Sequence, residues 1–468
     1  MPHLKPILDP DFVPAAVWNR TYRRRVHESG GHPLTIALER GSGTRGDSCV
    51  PSVSVFETQI LPHTGDCVAL NHRYVERAVK FLMWQKGGYK ITVAGSQGIA
   101  DYLRRLYSPT GGRAFDVQFM GERVYKQPYT IESCAIEDTP VPSERTAALG
   151  RNLDGCRIGF DLGGSDRKCA AMIDGKVVFS EEVVWDPYYQ TDPRYHFDGI
   201  DDSLRRAAAH LSQVDAIGGS AAGVYIDSEP RVASIFRGLS AEQFESEARP
   251  MFHRLRERWN SVPLLVVNDG EVAALGASMA LQDNAVLGIS MGTSQAAGYV
   301  TPDGFITDWL NELAFAPIDY REDAPRDEWS GDIGVGAQYL SQQAVARLMP
   351  VARIEAADDM PFAERLLRVQ ELMAAGDDRA ARVFQTIGAY FGYAVAHYAD
   401  FYELRHVSVM GRVTSGAGGD AILTEARRVL ETELPEHAHI QLHLPGEQEK
   451  RHGQAAAAAT LPALERNN

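Results

Sequence analysis

The sequence predicts an α/β protein built as two lobes that face each other across a cleft. Three apolar runs with the composition of β-strands end in polar or glycine-rich turns, within residues 158–165, 266–269 and 288–294. In α/β proteins, binding and catalytic groups sit on turns of this kind at strand ends. Because the first and third turns share one design, we expect them to hold one ligand from opposite sides, and this requires two lobes.

The first turn follows a strand that ends at Asp161, and residues 161–165 read Asp-Leu-Gly-Gly-Ser. Glycines at this position let backbone N–H groups approach an anion without a Cβ in the way. A carboxylate beside such a turn suits Mg²⁺. The third turn repeats the design at residues 292–294, Gly-Thr-Ser. The pair of turns is therefore suited to hold a triphosphate between them.

The second run ends at Asp269, which precedes a helical pattern at residues 272–276. This position leaves the carboxylate at the cleft rather than in the core. A carboxylate there can accept the proton of a hydroxyl that attacks a γ-phosphoryl group. Each turn alone is also ordinary loop composition, so the prediction of phosphoryl transfer depends on the order of the turns. A fourth strand-like run, 407–410, leads into Gly411.

Taken together, residues 156–465 resemble the ROK family of sugar kinases, within the actin, hexokinase and Hsp70 superfamily. Residues 161–165 look like that family's Asp-Ile-Gly-Gly-Thr phosphate motif. Residues 268–276 are similar to its Asn-Asp-x-Asn-Ala-Ala-x-x-Gly signature, and the alanine-rich segment 453–459 is similar to its C-terminal helix. The resemblance implies a two-lobed ribonuclease-H-like fold of the actin/hexokinase type, here with an extra N-terminal α/β domain.

The resemblance also implies roles for individual residues. Asp269 would be the catalytic base, and Asp161 would hold Mg²⁺ through water. The residues implied to bind the substrate are Asn268, Glu271, Glu312 and Gly223. The residues implied to bind ATP are Gly163, Gly164, Ser165, Gly292, Thr293, Ser294 and Gly411. A homodimer is the oligomeric state that the resemblance implies.

Residues 328–337 stand where the family usually carries a zinc loop. They contain no cysteine, so we expect no structural zinc. The sugar-contacting histidine and second glutamate of that loop are also missing, with Phe315 near the first position and Ala337 at the other. Glu312 still matches another glutamate of the family. The identity of the sugar therefore does not carry over from the resemblance.

The expected domains are an accessory α/β domain over 1–145, a first lobe over 156–275, a second lobe over 276–450, and a closing helix over 451–468 that returns to the first lobe. Within the accessory region, residues 71–86 have amphipathic helical spacing, and 89–94 read as a strand before a helix at 97–107. A winged helix-turn-helix would place two short helices before a hairpin. This order of elements argues against DNA binding.

Composition is consistent with an enzyme of small neutral metabolites. The 468 residues carry a net charge of -15, which disfavours nucleic acid as a partner. No run approaches the ~18 apolar residues of a membrane span, and the first residues lack the apolar centre of a secretory signal. The 5 cysteines include no Cys-x-x-Cys pair, which indicates free thiols in a reducing compartment. We expect a cytoplasmic protein that does not bind membranes.

The sequence therefore predicts an ATP- and Mg²⁺-dependent kinase of a hydroxyl on a sugar or sugar-like polyol. The alternative is a non-catalytic sugar-sensing or regulatory protein of the same family, because the substrate loop is altered. A third hypothesis, an ATPase that drives another protein, would call for a long peptide-binding appendage or a metal-cluster cysteine motif. The sequence displays neither feature.

Overall fold

The computed structural model describes residues 4–41, 51–144, 146–147 and 149–464. Its helices are α1 (Ala15–Ser29), α2 (Cys67–Lys86), α3 (Gln97–Leu106), α4 (Ala114–Val117), α5 (Pro193–Ala208), α6 (Ala241–Gln243), α7 (Met251–Arg258), α8 (Asp269–Leu281), α9 (Gln342–Val351), α10 (Phe362–Ala374), α11 (Asp378–Tyr398), α12 (Ala417–Glu433) and α13 (Glu447–Ala459). None of these described helices combines the length and the apolar composition needed to cross a membrane.

The strands are β1 (His32–Arg40), β2 (Ser52–Ile60), β3 (Lys90–Ala94), β4 (Thr130–Cys134), β5 (Thr146–Ala147), β6 (Cys156–Leu162), β7 (Asp166–Ile173), β8 (Lys176–Val184), β9 (Ala216–Ala221), β10 (Val224–Ile226), β11 (Glu229–Val232), β12 (Leu264–Asn268), β13 (Val286–Met291), β14 (Gln295–Val300), β15 (Ile306–Thr307), β16 (His406–Met410) and β17 (Gln441–His443). They form the first-lobe sheet β12-β9-β6-β7-β8, the second-lobe sheet β17-β16-β13-β14-β15-β5, the accessory sheet β2-β1-β3-β4, and the hairpin β10-β11.

The two lobe sheets have the same strand order. In each, three antiparallel strands in chain order are followed by two strands that run parallel to the first of the three. In the second-lobe sheet, β5 is added at the outer edge, antiparallel to β15. The two predicted lobes are therefore two copies of one strand pattern, although no sequence repeat is visible between them.

Helix α13 lies directly on the first-lobe sheet because small residues meet on both sides. Gly159 of β6 and Gly218 of β9 leave the room: a Cβ on them would lie 1.8 Å from the carbonyl oxygen of Ala455 and 1.7 Å from that of Ala458. Such close approach of two backbones excludes any side chain at these glycines. The alanines of α13 therefore pack closely on the glycines of this sheet.

The accessory sheet carries the helix-strand-helix order predicted for this region, in α2, β3 and α3. Helix α2 begins four residues earlier than the predicted start, at Cys67, and ends at Lys86, before Gly87, whose φ is 82°. Ser96 caps α3, where its hydroxyl oxygen accepts a hydrogen bond from the N–H of Ile99. The accessory sheet and α2 contribute to one hydrophobic core, which Phe315 and Ala337 of the second lobe also join.

Helix α1 connects that core to the core of the second lobe. Tyr22 and Val26 belong to the core of the accessory sheet, whereas Phe12 and Ala16 are buried in the core of the second lobe. The ring of Phe12 lies 4.8 Å from that of Tyr390 on α11, measured between centroids. The start of the chain therefore packs against the second lobe rather than forming a detached extension.

Candidate active site

Asn268 caps helix α8 and also fixes a loop of the first lobe. Its Oδ1 accepts a hydrogen bond from the N–H of Gly270 at 2.7 Å, which satisfies a free backbone donor of the first helical turn. Its Nδ2 donates to the carbonyl oxygen of Gly223 at 2.7 Å. Asn268 and Gly223, both expected to contact substrate, are thus held together. One Nδ2 hydrogen of Asn268 remains for a further contact.

Asp269 is the first residue of α8, at the carboxyl end of β12. Its Oδ1 accepts a hydrogen bond from the N–H of Gly270 at 3.0 Å. Burial raises the pKa of Asp269 above its usual range, and the Gly270 N–H opposes this only in part. A carboxylate with a raised pKa is a better proton acceptor near neutral pH than an exposed aspartate.

Asp161 ends β6 beside Asp269. The Ser220 hydroxyl donates to Asp161 Oδ1 at 2.6 Å, and strand register explains the contact because the two residues are paired across β6 and β9. Burial, reinforced by the charge of Asp269, raises the pKa of Asp161 to about 6, while Ser220 acts in the opposite direction. Gln454 on α13 connects Ser220 with Asp269. Its Nε2 donates to Ser220 Oγ at 3.2 Å and to the Asp269 carbonyl oxygen at 3.0 Å.

This group of carboxylates fits Mg²⁺ held through water. The charges of Asp269 and Asp166 both raise the pKa of Asp161, and only Lys168 acts against them as a cation. Such unbalanced negative charge favours a bound cation. Across the described part of the chain, no cluster of three or more His, Cys, Asp or Glu side chains could hold a metal by itself. Mg²⁺ usually needs only one or two carboxylates, and waters and substrate phosphates complete its shell.

The turn of residues 163–165 joins β6 to β7 and is covered by aromatic side chains. The indole Nε1 of Trp185 donates to the Gly163 carbonyl oxygen at 2.8 Å. Tyr188 lies against Gly164, where an added Cβ would be 2.0 Å from its hydroxyl oxygen. The guanidinium of Arg237 is 3.9 Å from the centroid of the Tyr188 ring. The aromatic segment after β8 therefore packs on this turn.

The turn of residues 292–294 joins β13 to β14, which is the equivalent place in the second-lobe sheet. Gly411 follows β16 with a φ of 103°, in the region that favours glycine. A Cβ on Gly411 would also lie 2.5 Å from the carbonyl oxygen of Met291, so the residue must be glycine for two reasons. Gly411 thus lies beside the second turn.

Glu312 is held in place by the accessory region. The backbone N–H groups of Asn311 and Glu312 donate to the carbonyl oxygens of Gln85 and Trp84, at 2.8 and 2.9 Å. These oxygens belong to the last turn of α2, whose carbonyls have no partner within the helix. Burial, with a contribution from the charge of Asp269, raises the pKa of Glu312 to about 7. The charge of Asp269 thus reaches the carboxyl group of Glu312.

The cysteine-free stretch after Glu312 is fixed by buried ion pairs with α2. Asp332 Oδ2 lies 3.1 Å from Lys80 Nζ, and Asp332 Oδ1 lies 3.4 Å from Arg77 Nη2. Arg113 also contacts Asp332, and Lys80 in turn binds Asp116 at 2.9 Å. Although burial acts to raise it, the charges of Lys80 and Arg77 hold the pKa of Asp332 below its usual range.

Phe315 faces the accessory core rather than the carboxylates. Its ring centroid lies 4.4 Å from that of Trp84 and 5.3 Å from that of Trp329. Ala337, the other expected departure, is buried in the same core. At both positions where we expected the family's sugar contact to be missing, the side chain packs into this core.

Sequence reasoning missed several residues around Asp269. Ser220 could have been found, because it lies in the glycine-rich run of β9 and pairs with Asp161 by register. Tyr225 carried no sequence signal, yet the charge of Asp269 contributes to raising its pKa above the usual range, after the larger effect of burial. Trp84 was missed because it precedes Glu312 by more than two hundred residues.

A scan against protein-family models finds no match to this chain, and a search of curated proteins finds none either. Among solved structures, the chain is similar to a ROK hexokinase from Thermus thermophilus, with a TM-score of 0.50 and 19% sequence identity over 65% of this chain and 97% of that one. It is also similar to a ROK family transcriptional regulator, a homolog of the E. coli MLC protein, with a TM-score of 0.52 and 17% identity over 66% of this chain and 78% of that one. The chain therefore has the mixed α/β fold of these ROK proteins, as the sequence predicts, together with a region outside both matches.

Proposed function

We propose that the protein transfers the γ-phosphoryl group of ATP to a hydroxyl of a sugar or sugar-like polyol, with Mg²⁺ as the metal. One observation carries the proposal: Asp161 is connected to Asp269 by hydrogen bonds through Ser220 and Gln454, and burial raises the pKa of Asp161, Asp269 and Glu312. Titratable groups with pKa values shifted in this way are typical of catalytic clefts. The two equivalent turns, one on each lobe sheet, suit the phosphates of a nucleotide. They therefore favour phosphoryl transfer over hydrolysis by a nucleophilic side chain.

In this proposal, Asp269 accepts the proton of the attacking hydroxyl. Glu312 and the remaining amide hydrogen of Asn268 bind neighbouring hydroxyls and orient the acceptor, and the tether between Asn268 and Gly223 holds that orientation. Glu271, two residues after Asp269, lines the adjoining wall. Mg-ATP, when bound, supplies the phosphoryl group and a cation that offsets the developing charge.

The two equivalent turns would hold the phosphates. The N–H groups of Gly163 and Gly292 already donate within their own turns, to the carbonyl oxygens of Asp166 and Ser294. The backbone N–H groups of residues 164–165 and 293–294 are the donors that suit phosphate oxygens, and glycines allow their close approach. Gly411, next to the second turn, would face the nucleoside. Asp161, with Ser220 as its hydrogen-bond partner, would hold the metal through water.

A second candidate is a sensor that binds the sugar and does not turn over ATP. Phe315 favours it, since this residue packs against Trp84 instead of offering a polar group to the cleft. The fold is compatible with both candidates, because a ROK hexokinase and a ROK transcriptional regulator share it.

The test combines two assays on the full-length protein. ADP release and ³¹P NMR of the product are followed over hexoses, amino sugars, polyols and cyclitols, and equilibrium binding of the same panel is measured with and without ATP. Phosphorylation of at least one acceptor is the expected result. Saturable binding without ADP would favour the sensor, and a panel that neither binds nor reacts would refute both candidates.

A further inference from the structure

Asn311, the residue before Glu312, has a backbone conformation that few residues other than glycine adopt. Its φ is 51°, in the left-handed region, where a Cβ crowds the following carbonyl oxygen. Asparagine tolerates this region better than most residues do. The residue is also buried, with 1% of its surface exposed. Such a conformation persists only where the surrounding structure fixes it, so the contacts of Asn311 decide the path of the chain into Glu312.

The ends of two helices fix Asn311. Its N–H donates to the carbonyl oxygen of Gln85 at 2.8 Å, in the last turn of α2. Its Oδ1 accepts a hydrogen bond from the hydroxyl of Tyr402 at 2.8 Å, just after the end of α11. The two helix ends are themselves joined, because Gln85 Nε2 donates to the carbonyl oxygen of Phe401 at 2.8 Å. The accessory region and the second lobe therefore meet at Asn311.

The Tyr402 hydroxyl is held in one place by the packing of its ring. Tyr402 is buried, and its ring centroid lies 4.9 Å from that of Tyr299 and 5.9 Å from that of Trp309. The side chain of Gln85 contacts the Tyr402 hydroxyl as well. A donor whose ring is locked by packing can fix the orientation of its acceptor.

Glu312 depends on this arrangement because its own carboxyl group is not held. Burial and the charge of Asp269 raise the pKa of Glu312 to about 7, and among the described residues no hydrogen bond to the carboxyl group opposes the rise. Its backbone, in contrast, is fixed on both sides: the N–H donates to the Trp84 carbonyl oxygen at 2.9 Å, and the carbonyl oxygen accepts from the N–H of Phe315 at 3.1 Å. The direction of the carboxyl group is therefore set mainly by the backbone that carries it.

We propose that Asn311 and Tyr402 are positioning residues, which hold Glu312 in the orientation that binds a hydroxyl of the acceptor. This rests on the proposed function and adds two residues that act on the acceptor through Glu312, without touching it. The turns assigned to the phosphates, 163–165 and 292–294, belong to other elements. Loss of the contact between Asn311 and Tyr402 should therefore weaken acceptor binding and leave nucleotide binding unchanged.

The first test is Tyr402→Phe, which removes the hydroxyl and keeps the ring. We expect the KM and the equilibrium dissociation constant for acceptor to rise about three- to tenfold, with kcat and the KM for ATP unchanged. Tyr393→Phe is the matched control: Tyr393 is equally buried, lies on α11, and donates instead to the Leu4 carbonyl oxygen at 2.7 Å. The control should leave both KM values unchanged.

Two further comparisons separate positioning from general stability. Asn311→Gly and Asn311→Ala both remove Oδ1, but only alanine places a Cβ in the left-handed region, so Asn311→Ala should weaken acceptor binding more. In a Glu312→Ala background, Tyr402→Phe should lower the remaining acceptor affinity no further, because no carboxyl group is left to be positioned. Equilibrium titration with acceptor measures both.

The outcomes distinguish this inference from the kinase itself. Sugar binding that weakens in Tyr402→Phe but not in Tyr393→Phe, without any ADP release, would support the positioning role and refute the kinase. Phosphorylation with the same KM for acceptor in Tyr402→Phe and Tyr393→Phe would refute the positioning role and leave the kinase standing. A full effect of Tyr402→Phe in the Glu312→Ala background would also overturn the inference, because Tyr402 would then act independently of Glu312.

Discussion

Among single residues, Asp269 is central to the proposed reaction, and its charge affects the carboxyl groups of its neighbours. The charge of Asp269 helps to raise the pKa of both Glu312 and Asp161. We expected Asp161 and Asp269 to lie together from the strand ends that carry them, whereas Glu312 was assigned only through the family resemblance. The effect of Asp269 on the other two pKa values was not expected, because it depends on burial that the sequence does not reveal.

Asp269→Asn should abolish catalysis while leaving the fold intact, since the amide keeps the shape of the side chain but accepts no proton. We expect turnover to fall by roughly 10²- to 10⁴-fold, the usual contribution of a general base, with nucleotide affinity unchanged. ADP release and nucleotide binding are the measurements. Asp303→Asn, in the exposed turn after β14, is the control. Wild-type turnover in Asp269→Asn would remove the base from the mechanism.

The same variant should shift the titration of Glu312. Its pKa lies at about 7, raised from 4.5 by burial and then by Asp269. Because the neutral amide removes one of those causes, the pKa of Glu312 should fall toward the ordinary value. ¹³C NMR of the labelled side-chain carboxyl measures it. An unchanged midpoint would mean that the two carboxyl groups do not share a site.

At the scale of the element, helix α2 is what positions the candidate substrate loop. Its last carbonyls bind residues 311 and 312, and its middle turns bind Asp332. The helix itself was predicted from its amphipathic spacing, and so were β3 and α3. The contacts could not be predicted, because they join residues far apart in sequence and periodicity only indicates that one face is buried.

Asp332→Asn should therefore weaken both the fold and the binding of acceptor. Removing one partner from a buried ion pair typically costs about 3–5 kcal/mol of the free energy of unfolding, and Asp332 contacts Arg77, Lys80 and Arg113. Urea unfolding measures the loss, and in the surviving folded protein the KM for acceptor should rise more than the KM for ATP. Asp323→Asn, with a side chain 87% exposed, should change the free energy of unfolding by less than ~1 kcal/mol. Equal effects of the two variants would contradict this role of α2.

In the molecule as a whole, the two lobe sheets have the same strand order and carry equivalent turns, and the accessory sheet is added to them. The lobes were predictable because their strands end in recognisable turns. The repeated strand order was not, since sheet neighbours are set by pairing rather than by local pattern. The packing of the accessory region against the second lobe could not be predicted either, because the buried residues of α1 belong to two different cores.

His397 lies where the accessory region packs against the second lobe, and it should make the folded state sensitive to acid. Its ring packs 4.9 Å from Phe81 of α2, between centroids, and burial lowers its pKa from 6.5 to about 4. Since the unfolded chain binds this proton first, the free energy of unfolding should decline as pH falls from about 6.5 to about 4, by up to about 3 kcal/mol. His397→Phe should reduce that decline in urea unfolding, whereas His27→Gln, at an exposed site, should not. The same decline in both variants would place the acid sensitivity elsewhere.

A crystal structure with Mg²⁺ and a non-hydrolysable ATP analogue would test the proposed kinase site. We expect the γ-phosphate to lie between residues 163–165 and 292–294, with the metal beside Asp161 and the γ-phosphorus facing Asp269. A nucleotide bound anywhere else, with Asp269 turned away from its terminal phosphate, would refute the proposed site.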